Sequence, residues 1–173
     1  TSVPASKPGV QERILLHLRD YVDHADKVEV PFALSQMGIA NAVSIARSNV
    51  PRAISGLRDQ GYLIERQAHV TGVSRKRKAY FLTEDGAKLA DDIWSKVGMQ
   101  MVRVVGHDGR SSTMELQKAL EATELPLRHV DVIRYLDDSG TIDFSALSSD
   151  LIERDLSKHI EKQLVTSLGD LPR

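Results

Sequence analysis

Eight side chains in this sequence have the types and spacing to hold a polyanion. Arg47, Ser48, Asn49 and Arg52 fall within six residues, and Arg75, Lys76, Arg77 and Lys78 are consecutive. Arginine can fork onto two acceptors of a guanine edge, asparagine pairs with adenine, and serine bonds to a base edge or a phosphate. Four adjacent cations repel one another and are costly to fold unless something neutralises them. A phosphate row or a narrow minor groove does so. The first set would read or position at a major groove, and the second would hold phosphates or the minor groove, so the expected ligand is double-stranded DNA.

The elements around these residues must present them. Ser35 is a plausible N-cap for a short helix over 36–43, with Leu34, Ile39 and Val43 buried. Ser44-Ile45-Ala46 is a connection short enough to fix the angle between two helices. Val50, Ile54 and Leu57 form one narrow buried stripe, which leaves Arg47, Ser48, Asn49, Arg52 and Ser55 on the opposite face. Pro51 belongs in a first turn, which predicts a start at Arg47 to Asn49 with Ser48 as a candidate cap and Gly61 as the stop. Tyr62–Val70 and Ala79–Leu82 read as a hairpin whose tip is Arg75-Lys76-Arg77-Lys78. Thr83 caps the helix that follows, with Glu84 and Asp85 in its first turn. Before this unit, Val10, Ile14, Leu18 and Tyr21 predict a helix ending near His24, and Val28 and Val30 predict one face of a short strand.

Composition narrows the class. The 173 residues are 41% hydrophobic, enough for a packed core, and include no cysteine. Disulfides, thiol catalysis and cysteine zinc sites are excluded, and an intracellular, cytoplasmic protein is expected. No apolar run reaches the roughly 20 residues of a membrane span, and no secretory leader is legible. A net charge of -1 conceals an asymmetry. Residues 1–82 carry 12 Lys/Arg against 7 Asp/Glu, residues 83–173 carry 11 against 17, and 43–82 alone carry 8 against 2. Such separation makes a local positive field that draws polyanions. No P-loop, nucleophile elbow or Ser/His/Asp set is present, so neither catalysis nor a cofactor is expected. His17 and His24 lie seven apart without a metal-binding pattern and read as a solvated polar face, so no metal is expected.

Leu34-Ser35-Gln36, Ile45 to Val50, Leu57 with Gly61, and Tyr80-Phe81-Leu82-Thr83-Glu84-Asp85-Gly86 resemble winged helix-turn-helix domains of the MarR-like kind, archaeal versions above all. The most specific piece is the return strand running into Leu-Thr-x-x-Gly. The resemblance covers about residues 10–97 and implies a DNA-binding transcriptional regulator. Two departures stand out: Pro51 near the start of the recognition helix, and Ser44 where the family often has glycine. The tail Leu168–Arg173 is similar to the linker that precedes a signal-transduction ATPase module in some archaeal proteins. That likeness implies the N-terminal part of a larger nucleotide-dependent switch.

The expected fold class is α+β. It comprises a flexible leader over 1–9, a winged helix-turn-helix domain over 10–97 and a small mixed hairpin-and-helix domain over 98–173. In the last, Met99–Val105 and Arg110–Met114 flank a Gly106–Gly109 turn, helices follow over 115–122 and from Pro126, and Ile142 with Phe144 suggests a strand. Ile152, Leu156, Ile160, Leu164 and Leu168 repeat every fourth residue and suggest a partner or homodimer surface. The rival function, from another class, is a winged-helix protein–protein adaptor.

Overall fold

The computed structural model describes residues 7–123 and 127–150. It is an α+β molecule built on two three-stranded sheets. Helix α1 (Val10–Arg19) runs under the first half and buries Ile14, Leu15, Leu16 and Leu18. A 3-10 turn over Val22–His24 follows. Strand β1 (Glu29–Val30) is parallel to β2 (Leu63–Val70), pairing Val30 with Val70. β2 pairs antiparallel with β3 (Arg77–Leu82), from Leu63 opposite Leu82 to Ala68 opposite Arg77.

Between β1 and β2 lie α2 (Gln36–Val43) and α3 (Val50–Asp59). Ser35 caps α2 as expected, its hydroxyl accepting from the Gly38 amide at 3.1 Å. The α3 stripe is fully inside, with Val50, Ile54 and Leu57 at most 2% exposed. Burying each contributes about 2 kcal/mol. Gly61, at φ +83°, turns the chain out of α3 into β2. Thr83 caps α4 (Glu84–Gly98), accepting from the Gly86 amide at 3.0 Å.

The second half is a smaller layer. β4 (Met101–Val105) lies between antiparallel β5 (Ser111–Glu115) and parallel β6 (Thr141–Asp143). Helix α5 (Leu116–Ala122) packs on β4 and β5, α6 (His129–Arg134) packs on α1 and α2, and residues 144–150 are helical. α1 packs on α4 and α6, and the buried residues of both halves form one continuous cluster from Ile14 to Leu147.

Several sequence expectations change. α1 is helical only to Arg19 before the chain tightens. Val28 and Val30 do not share a face: Val28 is 75% exposed and Val30 1%. Their strand is only two residues long, too short to impose an alternation. Ser48 does not cap α3. It sits inside a 3-10 turn over Arg47–Asn49, and Asn49 precedes the helix without a side-chain cap. Arg77 and Lys78 are not at the hairpin tip. They open β3, opposite Ala68 and Gln67, so the tip is 71–76. His17 is not solvated but 0% exposed. The Ile152–Leu168 stripe, Pro126 and the tail after Leu168 fall outside the described residues.

Candidate nucleic-acid interface

The recognition segment is launched by a tight joint. Phe32–Leu34 forms a 3-10 turn, and the Ser35 hydroxyl donates to the Phe32 carbonyl at 2.6 Å while capping α2. A Cβ on Gly38 would meet that carbonyl at 2.1 Å, so only glycine lets α2 approach this closely. α2 ends at Ser44 in the left-handed region (φ 58°, ψ 51°). The Ser44 and Ile45 amides both return to the Ala40 carbonyl. The chain then enters Arg47–Asn49, whose 3-10 turn continues into α3 with Pro51 in the first turn.

Arg47, Ser48, Asn49 and Arg52 are all exposed. Arg75, Lys76, Arg77 and Lys78 are exposed as well. None of the eight side chains has a hydrogen bond or ion pair with another described residue. Arg47 shares a groove of about 520 Å³ with Lys76, Arg77 and Lys78. Ser35, Gln36, Gln67, Phe32, Met37 and Val73 complete its walls. A second hollow holds Arg52, Ser55 and Arg58 of α3 with Lys78 and Tyr80 of β3. Gln36 and Lys78 border both, so the hollows adjoin. The structure therefore brings Arg47, Arg52, Lys76, Arg77 and Lys78 to one side. Arg75, Ser48 and Asn49 line neither hollow.

The floor is held by a polar chain. The Gln36 side chain donates to the Tyr80 hydroxyl at 3.0 Å, tying the first turn of α2 to β3. Arg58 faces Glu65 at 3.6 Å, tying α3 to β2. Burial first, then the neighbouring Glu65, push the Tyr80 hydroxyl above its ordinary pKa, so it stays protonated and able to donate. Gln36 and Gln67 are groove residues that the sequence did not single out as site residues, whereas Ser55, expected on the outward face of α3, lines the second hollow. The signal for Gln36 was present, since it follows the Ser35 cap and must sit at the opening of α2.

Not every cation in the basic stretch is available. Arg66 donates to the carbonyls of Ala25 (2.9 Å), Lys27 (2.6 Å) and His24 (3.3 Å), and lies 4.4 Å from the Phe81 ring centre. It anchors the wing to the segment before β1. Among the described residues no three His, Asp or Glu side chains gather as a metal site. No described helix is long and apolar enough to cross a membrane.

No family model matches the chain, and no curated protein matches it. Solved structures do. ZitR, a zinc-responsive MarR family member from Lactococcus lactis, is 18% identical over 91% of this chain and 76% of its own, with a TM-score of 0.41. MepR, a transcription regulator of the Staphylococcus aureus multidrug efflux pump MepA, is 15% identical over 90% of this chain and 78% of its own, at 0.38. MepR in complex with DNA gives 15%, 88% and 77%, again at 0.38. Likeness at that level assigns no family; the two helices, their tight joint and the hairpin beside them form a winged helix-turn-helix on their own geometry.

Proposed function

We propose that this chain binds double-stranded DNA and acts in transcriptional control in the cytoplasm, without catalysis of its own. One observation carries the reading: Arg47 on the recognition segment and Lys76, Arg77 and Lys78 on the wing border a single groove, and none of them forms an ion pair with a described side chain. Arg47, Ser48, Asn49 and Arg52 supply base-edge and positioning contacts, with Arg75 to Lys78 on phosphates. Two copies pairing would set two recognition helices on half-sites one helical turn apart. The archaeal type, and a place at the N-terminus of a larger nucleotide-dependent switch protein, rest on the sequence resemblance alone.

The adaptor reading has one observation in its favour. Phe32 and Met37, 39% and 42% exposed, offer apolar surface in the same groove. Fluorescence anisotropy with a random duplex across a salt series separates the two readings. Four wing contacts with phosphate give log K against log salt a slope of roughly -3.6, at about -0.9 per contact. Replacing Arg75, Lys76, Arg77 and Lys78 together by alanine should weaken binding at least about 100-fold and flatten that slope. No binding at low salt would refute the DNA reading and favour the adaptor.

A further inference from the structure

The junction between the two halves contains arginine contacts that the proposed DNA interface does not use. Arg134, at the end of α6, donates through one guanidinium nitrogen to the carbonyls of Asn41 (2.7 Å) and Ala42 (2.9 Å). These belong to the last turn of α2, where carbonyls lack helical partners and a cation is favoured by the helix dipole. Among the described residues no carboxylate pairs with Arg134, so its charge goes to that helix end. Lys7 adds a bond to the Arg134 carbonyl at 3.4 Å.

The other end of α2 is reached from the other end of α6. Arg128, just before α6, donates to the His17 carbonyl and to His17 Nδ1, both at 2.8 Å. Its Nε also meets Asp20 at 2.7 Å. His17 is buried and donates from Nε2 to the Ala33 carbonyl at 2.8 Å. Ala33 lies in the turn that delivers Ser35 to its capping position. So α6 touches the C-terminal end of α2 directly and the approach to its N-terminal end through His17. The carbonyls held by Arg134 immediately precede Val43 and left-handed Ser44, from which the recognition segment departs.

We propose that α6 is a clamp on the helix-turn-helix, in which Arg134 and Arg128 act as positioning residues that fix α2 and thereby aim the recognition segment at DNA. Neither residue lines the groove, and both guanidinium groups are already engaged within the protein, so their role is positioning rather than DNA contact. The importance of the clamp for binding rests on the DNA-binding reading above, but the clamp itself does not. It makes the second half of the molecule a lever: whatever shifts α6 shifts the angle between α2 and the recognition segment.

The test compares the full chain with Arg134→Ala and Arg134→Lys in two arms. In the first, amide hydrogen exchange is followed residue by residue. Alanine should speed exchange in α2 and at Ser44–Ile45 while leaving β2 and β3 unchanged, and lysine, which can still donate to a last-turn carbonyl, should restore most of the protection. Unchanged α2 protection, or a uniform loss across the molecule, overturns the clamp. In the second arm, affinity is measured for a duplex selected from a random pool. Arg134→Ala should weaken binding about tenfold, within the range of coupling through remote residues, with the salt slope unchanged. A slope flattened by about 0.9 would make Arg134 a phosphate contact and overturn the proposal. Failure of the unaltered chain to bind any duplex refutes the DNA-binding reading, and the exchange arm still decides the clamp.

Discussion

Arg47, Arg52 and Arg75 stand in solvent with no hydrogen bond to another described side chain, whereas Arg19 and Arg128 each reach a histidine and a carboxylate. Arg19 meets Asp91 and His129 Nδ1, and Arg128 meets Asp20 and His17 Nδ1. His129 also stacks on Trp94, with ring centres 3.9 Å apart. The residue type is the same and the setting is opposite. At the junction Arg19 and Arg128 are each neutralised by an acid and each needs a neutral imidazole as an acceptor, while Arg134 is held by the carbonyls at the end of α2. At the groove the charge is left for an outside partner. Arginine content alone therefore says little about affinity for a polyanion; what counts is which guanidinium groups the fold has already occupied.

The largest effect that could break this contrast is acid sensitivity of the junction. His17 is held at about 4, first by burial and then by Arg128, against the opposing pull of its bond to Ala33 and of Asp20 and Asp131. His129 is lowered in the same direction, by burial and then by Arg19. With the folded pKa below the unfolded value, the unfolded chain takes up a proton the folded chain refuses. The stabilisation is therefore complete above about pH 6.5 and is lost as the pH falls towards 4. His17 alone accounts for about 3 kcal/mol across that window. Urea midpoints at pH 7.5, 5.5 and 4.5 should fall steeply, and His17→Gln should remove much of the fall. Equal acid losses in the two proteins would mean that the junction does not depend on a neutral His17.

Arg66 sharpens the comparison, because it lies in the basic stretch but belongs with the junction arginines. Arg66→Ala strands the carbonyls of Ala25 and Lys27 and removes the cation from the Phe81 face. A cost of about 2 kcal/mol is expected in denaturant unfolding. The salt slope of DNA binding should not move. Arg52→Ala should do the reverse, weakening binding to a selected sequence with stability nearly unchanged, since exposed side chains without partners contribute little to folding. If Arg66→Ala flattens the slope as a wing alanine does, its carbonyl bonds do not hold in solution.

What the sequence disclosed and what it hid divide along the same line. The Ser35 and Thr83 caps, the Val50, Ile54, Leu57 stripe and the Gly61 stop were legible, because each is decided by neighbours within one helical turn. The role of His17 was not, since Arg128 lies 111 residues away. One local signal was still available. Val10, Ile14, His17 and Tyr21 fall at i, i+4, i+7 and i+11, which places His17 on the inward face. Arg66 was hidden for a similar reason: its three carbonyl partners lie about forty residues earlier in the chain, and nothing between Glu65 and Gln67 marks it as already occupied. Exposure of Arg47, Ser48, Asn49 and Arg52 followed from the Val50, Ile54, Leu57 stripe, whereas the gathering of Arg47, Arg52, Lys76, Arg77 and Lys78 around two adjoining hollows depends on how the hairpin folds over α2.

The smallest effect concerns the joint that aims the groove. Ser44 is the only non-glycine with positive φ among the described residues. An L-residue there carries a steric cost of about 1 kcal/mol that glycine lacks. Glycine also gives the unfolded chain more freedom, which takes back about half of the gain. Ser44→Gly should therefore stabilise the fold by about 0.5 kcal/mol, seen as a slightly higher urea midpoint. Ser44→Val should destabilise it by more than 1 kcal/mol, because a branched Cβ clashes in that conformation. Both changes lie outside the two hollows and leave every cation in place, so the salt slope should stay constant in each. Affinity for a selected duplex should fall only for valine. A matching fall with glycine would mean that the serine hydroxyl itself reaches the DNA, and the joint would have to be counted as part of the interface rather than as its support.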